Sequence, residues 1–412
     1  MNKLREKIGI SISYLPVFIS LCVLSIAIIK AKGMWSALLP ISFVIDFIYN
    51  KRYIDFRISR KRIYYSIVML FFLLFYIYYP FEEDTKYTNF LLEKRYFLIV
   101  GAFCGFLGLN ERHKLSYYLH TIIITAVTSI LYLIFIRIGF LNFLLSENRA
   151  NLFTYARIVY LNNHMVFNLY MNLAIICIWY IVNHRYKQLQ KWKIFLYIIT
   201  FLIIYYILSI SEGRSGFLMS LFIISFLILK EVWQRKKYLI IIALSGLSTL
   251  VYTEISHHQR ISEKQIKGEP RLFLWKNAIK VIQENPFLGK GASSTQVAFD
   301  NQRASSTDET YKNFWTPYDF VDSHNQYIQT TMEFGLLGLC LLLFIYFYPL
   351  ILAQKQRKIF AFLVTTVLAF QSVFDMFITG QFVHLFLLCT FMIILCKDDI
   401  RITDTSNCIT KY

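Results

Sequence analysis

Charged residues are scarce in this sequence of 412 residues. Only 17% of them are charged, whereas 57% are hydrophobic and 18% are aromatic. A soluble globular domain usually carries about 25% charged residues, so this composition excludes a water-soluble fold. The sequence also lacks an internal repeat and any low-complexity tract. We therefore interpret residues 1–412 as a single transmembrane domain.

The seven cysteines form neither a disulfide framework nor a metal site. Six of them lie in apolar runs, Cys408 lies near the C-terminus, and no C-x-x-C spacing is present. The pair His257-His258 is a poor metal site, because adjacent histidines point to different faces of regular structure and no carboxylate spacing accompanies them. The sequence thus predicts no metal ligand and no cofactor.

A concentrated basic surface is also missing, although the net charge is +18. Lys and Arg are dispersed in short clusters between apolar runs, whereas a nucleic-acid-binding protein gathers them on one face. We therefore predict no nucleic-acid partner, and we interpret the basic clusters as signals of membrane topology.

The sequence consists mainly of long apolar runs. Crossing a hydrocarbon core of about 30 Å takes about 20 apolar residues, and this length predicts about twelve transmembrane helices. Lys and Arg are most frequent in alternate connections, which indicates that both termini lie in the cytoplasm. The predicted fold class is an all-α polytopic membrane protein, with spans near 10–30, 34–49, 64–81, 91–109, 117–140, 164–183, 194–211, 214–230, 238–254, 332–352, 358–374 and 378–396.

One connection, residues 255–331, is much longer than the others and is predicted to lie outside the cytoplasm between spans nine and ten. Pro270 suits the first turn of a helix, and Asn285-Pro286 would end that helix. We expect the helix to lie flat on the membrane surface. Its apolar positions at helical spacing are Leu272, Trp275, Ile279 and Ile282.

Arg214 lies in a short external turn, Ser211-Glu-Gly-Arg-Ser-Gly216, between two apolar spans. The planar donors of a guanidinium bind phosphate in a forked geometry, which suits an anionic lipid headgroup. The alternative is an arginine that snorkels to the interface and anchors a helix end. The turn alone leaves both interpretations open.

Arg271 and His324 are the candidate polar residues of the long loop. Arg271 opens the predicted helix, where the positive end of the helix dipole would add to its charge and favour an anion; the alternative is a solvated arginine. His324 can accept a proton near neutral pH, as a general base must, and Asp322 and Asn325 could orient its ring. A surface histidine without a catalytic role is the alternative.

Three further positions complete the observations near the external face. Arg157 and His164, at the start of the sixth span, are additional candidates for binding the substrate. Gly335 and Gly338 follow the histidine segment, and their small size permits close helix packing in the tenth span.

Several motifs together resemble the O-antigen ligase and polymerase superfamily. They are Arg271-Leu-Phe-Leu-Trp275-Lys-Asn-Ala278, Asn285-Pro-Phe-Leu-Gly289-Lys-Gly291, Asp322-Ser-His324-Asn325-Gln-Tyr327 and Glu333-Phe-Gly335-Leu-Leu-Gly338. The number of spans, the position of the long loop and the arginine before span eight extend the resemblance to the whole chain. The first five spans contain no matching motif.

The resemblance implies a metal-independent glycosyltransferase of the bacterial inner membrane. Such an enzyme moves a glycan from undecaprenyl diphosphate to an acceptor hydroxyl at the periplasmic face. By correspondence of motifs, Arg214 and Arg271 match the arginines that hold the diphosphate, and His324 matches the essential loop histidine. Asn325, Tyr327 and Trp275 are the substrate-binding candidates within the motifs.

Members of this superfamily differ in their acceptor, and the motifs do not specify it. We predict a ligase that transfers glycan to lipid A-core; the alternatives are a polymerase of O-antigen, capsule or exopolysaccharide, and an enzyme that glycosylates protein. A transporter of the same lipid-linked glycan is a further alternative. It would be expected to place its charges along a cavity near mid-bilayer, whereas these candidate residues cluster at one face.

Overall fold

The computed structural model describes residues 9–19, 34–50, 59–77, 99–108, 113–146, 152, 164–185, 188–211, 214–235, 270–305, 322–376 and 383–396. Its elements are helices, which confirms the predicted all-α class. They are α1 (Gly9–Ile19), α2 (Met34–Asn50), α3 (Arg60–Ile77), α4 (99–106), α5 (Leu115–Tyr132, continued by a π-helical segment Leu133–Ile138), α6 (Phe140–Leu145), α7 (His164–Arg185), α8 (Lys191–Ile210), α9 (Arg214–Arg235), α10 (Pro270–Glu284), α11 (Ala292–Ala304), α12 (Gln326–Leu352), α13 (Lys358–Phe374) and α14 (Val383–Ile394).

Five helical segments among the described residues are long and apolar enough to cross a membrane. This finding supports a membrane protein, while the predicted number of about twelve spans stays a prediction. The predicted ninth span, 238–254, lies outside the described residues. The five segments are Leu115–Ile138, Met165–Arg185, Lys191–Ile210, Gln326–Leu352 and Lys355–Phe374.

Helix α7 is at the centre of the bundle and packs against α5, α8, α9 and α13. It is buried around most of its circumference, as expected of a helix that is apolar on all sides. The Tyr180 ring of α7 lies 4.9 Å from the Phe360 ring at the start of α13. The Phe226 ring of α9 lies 5.1 Å from the Phe362 ring. Arg214, which begins α9, and Phe374, which ends α13, therefore lie at the same end of the bundle.

Helix α12 is sharply bent at Gly335, which has a φ of +61°. The Tyr327 ring lies 6.0 Å from the Tyr346 ring, although a straight helix would separate the two residues by about 28 Å. The helix therefore has two legs, 326–334 and 336–352. The tenth span was predicted near 332–352; in the structure the apolar leg begins only after the bend, at residue 336.

The turn 285–291 fills the inside of this bend. A Cβ atom on Gly335 would lie 2.2 Å from the carbonyl carbon of Phe287, and one on Gly289 would lie 2.5 Å from the carbonyl carbon of Glu333. Gly335 was expected to permit helix packing, but its actual neighbour is this turn. The backbone amides of Lys290 and Gly291 donate to the carbonyls of Met332 and Glu333, and that of Leu336 donates to Pro286, all within 2.9 Å.

Helices α10 and α11 pack on the first leg of α12 through a small core of their own. The predicted helix of the long loop is confirmed, since it begins at Pro270 and ends at Glu284. Its buried face differs from the predicted apolar stripe, because Leu272 and Ile279 are largely exposed. The buried residues of this second core are Phe273, Leu274, Ala278, Val281, Phe299 and Met332.

Candidate active site

His324 is oriented by the neighbouring carboxylate of Asp322. The imidazole Nδ1 lies 3.2 Å from Oδ1 of Asp322, and both side chains are about one third exposed. A proton on Nδ1 would be held by this carboxylate, which makes Nε2 the nitrogen that can accept a proton from a substrate. The expected orientation of the ring by Asp322 therefore agrees with the geometry.

The backbone at His324 adopts an uncommon conformation. Its φ is +46°, in the left-handed region that a residue with a Cβ rarely adopts. Oδ1 of Asp322 also accepts the backbone N–H of His324 at 2.8 Å, and the Ser323 hydroxyl donates to the Asn325 carbonyl at 2.9 Å. These two bonds hold the segment in place. Backbone strain of this kind is concentrated at functional sites.

Asn325 and Tyr327 bond to the backbone of α12 and α13. The side chain of Asn325 caps the first leg of α12, since its Oδ1 accepts the backbone amides of Tyr327 and Ile328 at 2.9 and 3.0 Å. The Tyr327 hydroxyl donates to the Ala369 carbonyl of α13 at 2.9 Å. Both side chains thus fix α12 in position, and the orientation of the His324 ring by Asn325 stays a prediction.

Trp275 connects helix α10 to the histidine segment. Its indole Nε1 donates to the Ser323 carbonyl at 3.0 Å. Arg271 precedes Trp275 by four positions on the same helix, so the two side chains lie on one face. The arginine is partly buried, and this bond places it on the side of α10 that meets His324.

Asp375 is a candidate site residue that sequence reasoning missed. It directly follows α13, and burial together with the Asp322 carboxylate raises its pKa above the ordinary range. His324 and Arg271 lower the pKa of Asp375 and so act in the opposite direction. Because such effects decline with distance, they indicate that Asp322, His324, Arg271 and Asp375 form one cluster of titratable side chains at this end of the bundle.

The sequence contains a signal that could have revealed Asp375. An acidic residue between two apolar runs is costly in a membrane protein and is usually functional. We expected this position to be part of the connection between spans eleven and twelve, which gave it no special role. Proximity to His324 arises only because α13 packs against α12.

Arg214 is the first residue of α9, and its helix start is held by asparagines of α7. The amide of Asn172 donates to the Gly216 carbonyl at 2.9 Å. The Ser211 hydroxyl donates to Oδ1 of Asn168 at 3.2 Å. A Cβ on Gly216 would lie only 2.4 Å from that of Asn168, so the start of α9 packs tightly on α7. Neither asparagine was among the candidate residues predicted from the sequence.

Two further predicted substrate-binding residues are Arg157 and His164. Arg157 lies outside the described residues, and of His164 the structure describes only its position as the first residue of α7. No group of three or more His, Cys, Asp or Glu side chains that could hold a metal occurs in the described part of the chain. The expectation of a metal-independent site stays a prediction.

Comparison with known proteins connects this geometry to a family. Residues 198–343 match the family model described as O-antigen ligase. This match confirms the resemblance that the motifs indicated. The matched range includes Arg214, Arg271 and His324, whereas Asp375 lies beyond it.

Curated relatives carry a similar description. Proteins named "Putative polysaccharide ligase" from Rickettsia conorii and Rickettsia prowazekii are 28% and 30% identical to this chain over 171 and 154 residues. The alignments cover 39% and 35% of this chain. They span 40% and 37% of the two relatives, which is well under half of their length. The activity of those whole proteins is therefore only a basis for a proposal here.

Proposed function

We propose that this protein is a glycosyltransferase of the ligase type. It transfers a glycan from undecaprenyl diphosphate to an acceptor hydroxyl, in the first instance on lipid A-core, at the outer face of the bacterial inner membrane. The observation that supports this proposal most directly is the cluster of His324, Asp322, Arg271 and Asp375 at one end of the helical bundle. The family match and the names of the relatives support the ligase class.

In the proposed reaction, His324 is the general base. Nε2 takes the proton of the acceptor hydroxyl while Asp322 holds the opposite nitrogen. The acceptor oxygen attacks the anomeric carbon, and the bond from that carbon to the diphosphate oxygen breaks with inversion. Undecaprenyl diphosphate leaves with the electron pair of the broken bond. The proton stays on the imidazole and is later released to water.

Arg271 and Arg214 are proposed to bind the diphosphate. Charge develops on its oxygens as the glycosidic bond breaks, and fixed guanidinium donors stabilise that charge. Trp275 fixes the helix of Arg271 through Ser323, and Asn172 fixes the start of the helix of Arg214 through Gly216. Two arginines would thus stabilise the leaving group, a task that a metal ion performs in other transferases.

Asp375 is proposed to assist His324. A carboxylate near the ring favours the imidazolium that forms after proton transfer. Asn325, Tyr327 and Trp275 are assigned positioning roles because their polar atoms bond within the protein. Arg157 and His164 stay proposals for substrate binding.

The test is a transfer assay with purified protein in lipid nanodiscs, undecaprenyl-diphosphate glycan and lipid A-core, in the presence of a chelator. We expect glycosylated lipid A-core from the wild type and a loss of at least about 10²-fold for His324→Ala. His184→Ala is the matched control, since His184 bonds to the Tyr180 carbonyl within α7 and lies away from the cluster.

The outcomes separate the alternatives. Elongated glycan on the carrier lipid instead of on lipid A-core would replace the ligase with a polymerase. Transfer of the lipid-linked glycan across a vesicle membrane without any new glycosidic bond would replace the enzyme with a transporter. Equal transfer by wild type and His324→Ala would refute the proposed base, and loss of transfer in chelator would refute the metal-independent mechanism.

A further inference from the structure

The turn that fills the bend of α12 has an apolar, exposed tip. Phe287 and Leu288 are 71% and 61% exposed. Leu336 and Leu337, which follow the bend, are 45% and 55% exposed. In a water-facing loop such a group of large apolar side chains would be unfavourable, because each exposes apolar surface to water.

Hydrogen bonds fix this tip at the level of the second leg of α12. The backbone amide of Leu336 donates to the Pro286 carbonyl at 2.9 Å, and that of Leu337 donates to the Phe287 carbonyl at 3.4 Å. The absence of a side chain on Gly335 allows this close approach of the two backbones. The tip therefore lies at the same depth in the membrane as Leu336 and Leu337.

The length of the second leg determines that depth. The apolar leg from Leu336 to Leu352 rises by about 25 Å at 1.5 Å per residue, whereas the hydrocarbon core is about 30 Å thick. Lys355 and Lys358 follow shortly after this leg, and both are exposed, so they mark the far interface. For this leg to cross the membrane, Leu336 and Leu337 must lie inside the hydrocarbon, and the tip lies there with them.

The backbone pairing at the bend agrees with a site away from water. In hydrocarbon every exposed backbone polar group must find a partner within the protein, and a sharp bend interrupts the bonds of a helix. Here the freed carbonyls of Met332 and Glu333 accept the amides of Lys290 and Gly291. The Thr295 hydroxyl donates to the Met332 carbonyl as well, at 3.2 Å.

We propose that the turn 286–288 is inserted into the bilayer leaflet on the side of the candidate site, where Phe287 and Leu288 contact lipid acyl chains. The exposed residues of the second leg, which face the same lipid, continue this surface without a break. The loop helices α10 and α11 are thereby anchored in the membrane through this turn, which fixes their position relative to the second leg of α12. This proposal does not depend on the proposed reaction.

The experiment is site-specific photocrosslinking in lipid nanodiscs. The photoreactive analogue p-benzoylphenylalanine replaces Phe287 in one variant and Leu288 in a second one. The nanodiscs contain palmitoyl-oleoyl phosphatidylethanolamine and phosphatidylglycerol, and intact-protein mass spectrometry detects covalent lipid adducts after irradiation. Leu337, on the apolar leg, is the positive control. Lys280, exposed on α10, is the negative control.

We expect lipid adducts at 287, 288 and 337, at yields at least about tenfold above that at 280. An adduct at 337 without an adduct at either turn position would overturn the proposal, because the turn would then lie in water or against protein. Equal yields at 280 and 287 would overturn it as well, since adducts at both positions would indicate lipid contact along the whole surface of the loop helices. Two turn positions are used so that poor folding of one variant does not decide the result.

Discussion

One oxygen of Asp322 holds both the backbone and the ring of His324. Oδ1 accepts the backbone N–H of His324 at 2.8 Å and lies 3.2 Å from its ring nitrogen Nδ1. The left-handed backbone of His324 brings these two groups to the same acceptor. A single carboxylate thus determines the local conformation and the orientation of the proposed base.

The two roles of Asp322 can be separated by substitution. Asp322→Asn keeps an oxygen that can accept the backbone N–H but removes the charge that favours the protonated ring. Asp322→Ala removes both. We expect the turnover of the asparagine variant to fall about tenfold and that of the alanine variant to fall further, in the transfer assay with lipid A-core. Equal turnover of wild type and Asp322→Ala would contradict the proposed orientation.

A second prediction concerns the backbone conformation of His324. Glycine adopts the left-handed region without a steric cost, whereas alanine does not. We therefore expect His324→Gly to be more stable than His324→Ala by about 1 kcal/mol, while glycan transfer by both should fall at least about 10²-fold. Thermal unfolding of both variants in the same detergent measures the difference. An alanine variant as stable as the glycine variant would show that this residue is not left-handed in solution.

Asp375 should make stability depend on pH. Its pKa is higher in the folded protein than in the unfolded chain, mainly because of burial and then because of Asp322. Folding therefore takes up a proton between the ordinary and the raised pKa, and the free energy of unfolding falls as the pH rises through that interval. Asp375→Asn has no such proton, so it should lose this dependence and be at least as stable as wild type at pH 7.

The same substitution should reduce glycan transfer, because the asparagine carries no charge to assist His324. The pH dependence of stability is measured as the unfolding temperature between pH 4.5 and pH 8. The loss of glycan transfer is measured in the transfer assay. A variant that loses stability at pH 7 would mean that the carboxylate is stabilised by its surroundings, which contradicts the raised pKa. Full transfer by the variant would remove Asp375 from the proposed site.

Gly335→Ala tests the packing of the turn into the bend. The added Cβ would lie 2.2 Å from the Phe287 carbonyl carbon, so the turn must move away, at a cost of about 3 kcal/mol or more. Gly139→Ala is the matched control: Gly139 also has a positive φ, of +85°, but its nearest neighbour lies 3.4 Å from the added Cβ.

We expect Gly139→Ala to cost less, about 1–2 kcal/mol, the cost of the backbone conformation alone. The loss of stability in each variant is measured from the yield of monodisperse protein and from the unfolding temperature. Similar losses for the two substitutions would indicate that Gly335 is required for its φ and not for the approach of the turn.

The sequence by itself determined the class of the protein and the limits of several helices. Apolar runs indicate helices in a membrane regardless of their partners, and Pro270 and Asn285-Pro286 marked the ends of α10 because their effects are local. The motifs around Arg214, Arg271 and His324 indicated the resemblance to the O-antigen ligase family, since these residues lie in short contiguous segments. The orienting role of Asp322 was also accessible, because it lies two positions from His324.

Only the tertiary structure decided which residues join the site and how α12 runs. Asp375 lies far along the chain from His324 and approaches it through the packing of α13 on α12, a relationship that no local pattern contains. From the sequence, Gly335 could permit either close helix packing or a bend. In the structure it forms a bend, which the turn at Phe287 fills. Burial likewise depended on distant partners, so the apolar stripe of α10 predicted from spacing differed from the face that meets α12. A side chain's neighbours along the chain are given by the sequence, whereas its neighbours in space depend on how the helices pack.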